Sequence, residues 1–393
     1  MAKKQVKGLE REKEWFSNFV LVGKANVGDK TFGLDLEAEK SDWIYNIMNL
    51  GVDCGEKSGL CFCEMMGGFG SERDNVIKVY GKDEEGKDDS NTQIEVDWED
   101  RFDEDIIKDT AKRSLITVGL EKTTDDKTYY KNFLSAYDAI AYINEHLKQD
   151  MTIRVSGKIK YEYYNGNVYV KKIVKSLVLS SKEEEDFEAT FKQSILLTKD
   201  SIGVDDKTKG VFLVNAKVLE YFKSINGYEV TGKKKFIPIP KTFEYAVDFE
   251  KPEMVDKVKQ MLFNVRRDVT QITFNGTFIE SGATVATTID DLDDDIKDMI
   301  EAGIYSLEEA LEDASQNGGV DRRMILTKPL LNKADSEKKT KATIKKIDKI
   351  YTEQEMYYPC FNISEEDEEN TDVKVEDTDE TDDDDMDWLE DVE

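Results

Sequence analysis

Alternating apolar and polar residues, broken by two stretches of helical spacing, organise most of this chain. From Thr152 to Tyr163 (TIRVSGKIKYEY), Ile153, Val155, Ile159 and Tyr161 alternate with Arg154, Ser156, Lys158 and Lys160, which predicts a strand with one buried face. Asn165-Gly166 then predicts a tight turn into a second strand, Val168 to Leu179 (VYVKKIVKSLVL). Ahead of this hairpin, Tyr130 to Lys148 spaces Phe133, Leu134, Tyr137, Ile140, Ala141 and Leu147 as a helix does. Strand-like runs precede it at Phe16 to Ala25, Lys30 to Leu36, Asn75 to Tyr80 and Leu115 to Glu121.

The second half repeats this order. Strand-like runs at Thr190 to Thr198, Val211 to Phe222 and Lys235 to Ile239 lead to a helical spacing over Pro252 to Val265. Ile272 to Phe278 (ITFNGTF) then matches Ile153 to Ile159 (IRVSGKI), with Gly276 in register with Gly157. Ala342 to Lys349 (ATIKKIDK) matches Val168 to Lys175 (VYVKKIVK), so Lys345 and Lys349 fall at the parity of Lys171 and Lys175, while Thr343 stands in place of Tyr169. Three strands, a helix and two strands is the order of an OB fold, a small Greek-key barrel that binds single-stranded nucleic acid or oligosaccharides. The expected fold class is therefore mainly β, with two tandem five-stranded OB-like barrels. The boundaries expected are residues 1–182, residues 187–362 with a two-helix acidic insert over 289–315, and a tail over 363–393, whose composition predicts disorder.

Charge refines this reading. The net charge is −30, yet −17 of it lies between Ser364 and Glu393, leaving −13 for the other 363 residues. Locally the sign reverses, with eight Lys or Arg against two acids over Leu147 to Lys182 and ten against three over Arg322 to Ile350. No apolar run reaches the ~18 residues of a membrane span and no signal peptide opens the chain. Cys54, Cys61, Cys63 and Cys360 make a poor disulfide framework. These features lead us to expect a cytoplasmic protein with no membrane partner.

Binding a single strand without sequence preference requires a cationic groove and aromatic faces for stacking. The hairpin supplies both: Arg154, Lys158, Lys160 and Tyr164 on one strand, Tyr169, Lys171 and Lys175 on the other. Arg322, Arg323, Lys345 and Lys349 extend the set into the second half. The plainer alternative is a solvated sheet face. Cys54, Cys61 and Cys63 with the single histidine, His146, invite a zinc reading, but there is no Cys-x2-Cys pair and buried thiols are the preferred account. Gly67 to Gly70 (GGFG) reads as a flexible turn. No metal site, cofactor or catalytic set is expected, and so no enzyme.

Two OB-like halves and an acidic tail resemble the replicative single-stranded DNA-binding proteins of bacteriophages and bacteria, and WFSNFVLVGKANV and SDWIYNIMNLGVDCG look like segments of the phage family. The resemblance implies coating of exposed DNA in replication or recombination in a host cytoplasm. It also implies a tail that recruits polymerase, helicase or primase, and recombinase. Here Asp382, Asp383, Asp384, Asp385, Met386, Trp388 and Leu389 would form that docking segment, although the chain ends in Glu393 rather than an aromatic residue. The rival reading is an acidic DNA mimic or structural interaction protein that binds no DNA. The lysine and arginine clusters oppose it.

Overall fold

The computed structural model describes residues 4–281, 321–333 and 341–361, apart from positions 13 and 165, together with isolated helical positions 296, 297 and 300. The acidic tail, and all but those three positions of the expected two-helix insert, lie outside the described residues.

The first half contains β1 (Lys4–Lys7), β2 (Ser17–Asn26), β3 (Phe32–Glu37), β4 (Trp43–Asp53), β5 (Leu60–Gly70), β6 (Val76–Lys82), β7 (Asp88–Asp97), α1 (Glu104–Asp109), β8 (Ile116–Lys122), β9 (Thr128–Phe133), α2 (Ala136–His146), β10 (Thr152–Tyr164) and β11 (Asn167–Leu179). The second contains β12 (Glu188–Leu197), β13 (Ile202–Asp206), β14 (Val211–Tyr221), β15 (Ser224–Ile225), β16 (Tyr228–Thr231), β17 (Phe236–Ala246), α3 (Pro252–Val258), β18 (Val269–Ser281), β19 (Asp321–Pro329), β20 (Leu331–Asn332), β21 (Thr343–Ile344) and β22 (Lys346–Tyr351).

Five strands of each half close into a ring. In the first, β2 pairs β4, β4 pairs β5, β5 meets β11 in parallel at Glu64 and Ile173, β11 pairs β10, and β10 returns to β2. In the second the ring is β12, β14, β17, β19, β18, again with a parallel contact between the third and fifth strands at Glu244 and Ile325. With a helix between third and fourth strands in each, both rings have OB topology, and the chain is mainly β as its alternation predicted. Inward residues such as Leu21, Met48, Leu50 and Val155 fill the first ring, and Phe212, Phe243, Phe263 and Phe274 the second. The Phe263 and Phe274 rings stack 5.4 Å apart.

The first strands of the two rings, β2 and β12, lie side by side and antiparallel, with Phe19 opposite Phe191. Gly157 pairs with Phe19 and Gly276 with Phe191, so equivalent residues of the two barrels meet at this pair and a pseudo-two-fold axis passes through it. Both glycines are enforced by close approach. A Cβ at Gly157 would lie 1.9 Å from the Ile173 oxygen, and one at Gly276 would lie 2.1 Å from Phe191 Cζ and 2.5 Å from the Ile325 oxygen. The seam also buries polar groups. Tyr161 Oη donates to Gln193 Oε1 at 2.9 Å, and the Lys172 ammonium pairs with Glu280 across the barrels, both nearly inaccessible.

Several sequence expectations are corrected. The helix expected over Tyr130 to Lys148 begins at Ala136, where Ser135 Oγ caps Tyr137 N at 3.1 Å, and its expected first turn is instead the end of β9. The runs at Asn75 to Tyr80 and Leu115 to Glu121 are strands, but neither belongs to the ring. β6 and β7 form a separate hairpin over a small core with Val79, Val96, Leu115 and Leu134. The ring strands β4 and β5 were absent from the expected runs. Gly67 to Gly70 is strand, not turn, and Gly67 packs so tightly on α2 that a Cβ would sit 2.7 Å from Ala136 Cβ.

The match of Ala342–Lys349 to Val168–Lys175 is also displaced. The fifth strand of the second ring is split: β19 covers β18 from Phe274 to Ser281, the chain then leaves through β20 and β21, and β22 returns to cover Val269 to Ile272. In ring register Lys171 therefore corresponds to Arg323, and neither Lys345 nor Lys349 corresponds to the hairpin lysines. β1 pairs in parallel with β16, which ties the start of the chain to the second barrel.

Candidate nucleic-acid interface

The outer surface of the second and third ring strands, with the adjoining loops, is where OB folds take oligonucleotides. On the first barrel this surface is open and largely apolar, with Asn49 and Glu64 as its polar members. Leu50, Val52, Cys61, Cys63 and Met65 point into the core, which turns Tyr45, Ile47, Asn49, Phe62, Glu64 and Met66 outward. Phe62 is 48% exposed and Met66 59%. Ile47 lies opposite Met66, and Gly51 opposite Phe62, so the ring of Phe62 projects beside a residue without a side chain.

The predicted hairpin borders this face through the Glu64–Ile173 contact. Gly166 takes φ +79° at its tip, the left-handed conformation that the Asn-Gly turn requires. The expected parity holds on β10, with Ile153, Val155, Ile159 and Tyr161 buried and Arg154, Lys158 and Lys160 on the outer side. Tyr164 and Tyr169 are half-exposed, at 52% and 49%. Lys160 and Lys171 stand opposite each other, a like-charge pair that Glu162 relieves at 3.5 and 2.9 Å. Lys171 also lies 3.5 Å from Glu64. Burial opposes charge on Lys171, but its hydrogen bond to Glu162 and the two carboxylates outweigh it and raise its pKa. Arg154 is half-buried between Val22 and Val178, and burial lowers its pKa. Lys175 sits at the bulge where the register shifts. The lysine before it in the KKI sequence, Lys172, faces inward, which alternation from Lys171 requires.

In the second barrel two of the four predicted cations, Arg323 and Lys345, are paired with carboxylates. Arg323, equivalent to Lys171, donates from Nε to Glu244 Oε2 at 2.8 Å and again from Nη2, and is largely buried. Glu244 is the counterpart of Glu64, so the same cation–carboxylate pair recurs in both rings. Arg322 is exposed. Lys345 pairs with Glu14 at 2.6 Å and lies 4.7 Å from the Phe16 ring centre. Lys349 is exposed on β22 with φ +61°. Where the first barrel presents Phe62 and Met66, the second presents Thr242 and Ala246. Asp382 to Asp385, Met386, Trp388 and Leu389 lie outside the described residues.

Sequence reading missed Phe62 and Met66, and the signal was weak because β5 (LCFCEMMGGFG) is apolar on both faces. The three clustered cysteines are buried, and burial pushes the Cys63 thiol up to about 12. His146 instead stacks on Tyr142, 4.1 Å between ring centres, with Nε2 3.6 Å from Glu121. No helix among the described residues is long and apolar enough to cross a membrane.

No protein-family model matches the chain and no curated protein matches it. Among solved structures it is similar to a deletion mutant of the single-stranded DNA binding protein from Thermus aquaticus, at 11% identity and a TM-score of 0.29, over 68% of this chain and 88% of that one. At that score the likeness carries no weight for function. The topology and surface chemistry have to carry it.

Proposed function

We propose that this chain is a binding protein rather than an enzyme, and that it binds single-stranded DNA without sequence preference through the first barrel. The observation that carries this reading is the open apolar surface of Phe62 and Met66, next to a hairpin that exposes Tyr164 and Tyr169 and sets Lys171 3.5 Å from Glu64 on the same face. Each base stacked on an aromatic ring contributes about 1–3 kcal/mol whatever its identity, and lysines follow the phosphates. We further propose that the protein acts in phage DNA replication or recombination. In this reading the acidic tail competes with DNA for the cations and recruits replication partners through Trp388 and Leu389.

Fluorescence titration with single-stranded oligonucleotides over a salt series tests the binding. Affinity should fall with salt by about 0.7 in log–log slope for each phosphate neutralised. Truncation after Ile363 removes a charge of −17 and should tighten binding most at low salt. Absence of binding at low salt by the truncated chain would overturn the proposal and favour the DNA-mimic reading.

A further inference from the structure

The pseudo-two-fold axis provides an internal control for a second surface. Side chains on β2, β10, β12 and β18 alternate between core and exterior, and strand register sets the exterior residues of neighbouring strands in rows. One row crosses the seam between the barrels: Lys158 lies opposite Asn18, Asn18 opposite Lys192, Lys192 opposite Asn275, and Asn275 opposite Lys328. The two-fold converts this row into Ser176, Ser156, Val20, Thr190 and Thr277, which are paired in the same way. One row carries three lysines and two amides. Its symmetry mate carries no charge.

The fold imposes both rows equally, so the difference between them is not a requirement of folding. Lys158 and Lys192 are half-exposed and Lys328 is exposed, and no position of the row is acidic although the chain as a whole carries −30. Beside the row, the half-exposed Phe16 ring lies between two cations, with Lys192 Nζ 5.2 Å and Lys345 Nζ 4.7 Å from its centre.

We propose that this row is a phosphate track that leads a single strand across the seam, from the first barrel toward the second, with Phe16 as a stacking ring along it. The proposal rests on the single-strand-binding reading given above. Strands are spaced about 4.8 Å apart, so lysines on alternate strands lie roughly 10 Å apart, about one for every three nucleotides at the ~3.4 Å rise of a stacked strand. The half-exposed amide of Asn275 stands between Lys192 and Lys328 as a neutral donor, while Asn18, between Lys158 and Lys192, is buried.

The test uses the full chain, a short oligonucleotide that spans one barrel and a long one that spans both, and anisotropy titrations over salt. Lys158→Gln/Lys192→Gln/Lys328→Gln should flatten the log–log salt slope by about 2 on the long oligonucleotide, three contacts at ~0.7 each, and by no more than the single contact of Lys158, ~0.7, on the short one. The corresponding triple arginine variant should restore the slope, which a merely structural role for the lysines would not predict. A charge-matched variant elsewhere, Lys87→Gln/Lys207→Gln/Lys251→Gln, should leave it as in the parent. An unchanged slope for the row variant, in a parent that binds both oligonucleotides, overturns the track alone. A parent that binds neither overturns the single-strand reading and the track together.

Discussion

The two barrels close through the same pairings, place a glycine at the same point against the same fifth-strand carbonyl, and set a glutamate beside a cation at the same contact of third and fifth strands. They differ in what they present outward. The first shows Phe62 and Met66 where the second shows Thr242 and Ala246. Its Lys171–Glu64 pair is about one-third exposed, whereas Arg323–Glu244 is largely buried. Features shared across the axis are what closing the barrel requires. Those on one side only are where function is to be sought.

The largest expected effect comes from giving the first barrel a residue of the second. Lys172 corresponds to Met324, and Lys172→Met would leave Glu280 buried without its cation, its carboxylate accepting, among the described residues, the Phe62 N–H at 3.3 Å. Chemical denaturation should show a loss of about 3–5 kcal/mol, largely recovered when Glu280→Gln is added. Next come the glycines. Gly157→Ala and Gly276→Ala should each cost about 3 kcal/mol, at the upper end for overpacking, because backbone atoms that cannot move aside are among those displaced. A marked inequality between the two would weaken the pseudo-symmetric reading.

Smaller effects separate the outward faces. Phe62→Ala should weaken single-stranded DNA binding by about 1–3 kcal/mol while Thr242→Ala leaves it unchanged, as measured by titration of the folded variants. The smallest effect on binding concerns the paired carboxylates. Glu64→Gln should remove one of the two carboxylates beside Lys171, leaving Glu162 at 2.9 Å, and tighten DNA binding by at most about threefold, in keeping with the modest strength of a partly exposed ion pair. Glu244→Gln should instead lower stability by about 1–3 kcal/mol, because it leaves the buried Arg323 guanidinium facing a weaker partner.

The same contrast explains what could be read in the sequence. The β10–β11 hairpin was legible because Ile153, Val155, Ile159 and Tyr161 are buried while their neighbours are charged, and Asn165-Gly166 marks the turn. The glycine register of Gly157 and Gly276 was legible for the same reason, since both sit in alternating strands. β4 and β5 were not, because the outward residues Tyr45, Ile47, Phe62 and Met66 are as apolar as the inward ones and alternation disappears. The residues that make a surface suitable for stacking bases thus erase the pattern that announces a strand. The second barrel's fifth strand was misplaced for another reason. It is interrupted between Pro329 and Lys346, and the KKI similarity lies beyond the interruption, on β22. Parity with Lys171 places Lys172 inward, but sequence gives no sign that a second barrel supplies Glu280 to receive it.

The central claim is that the first barrel's outer face, rather than its counterpart on the second, receives the bases. Photo-crosslinking of the full chain to short oligonucleotides containing 5-iododeoxyuridine, with crosslinked peptides identified by mass spectrometry, tests it most directly. The account predicts crosslinks at Phe62, Tyr164 and Tyr169, competed away by unlabelled single strands. Crosslinks confined to the Leu213, Asn215 and Thr242 face of the second barrel would contradict it.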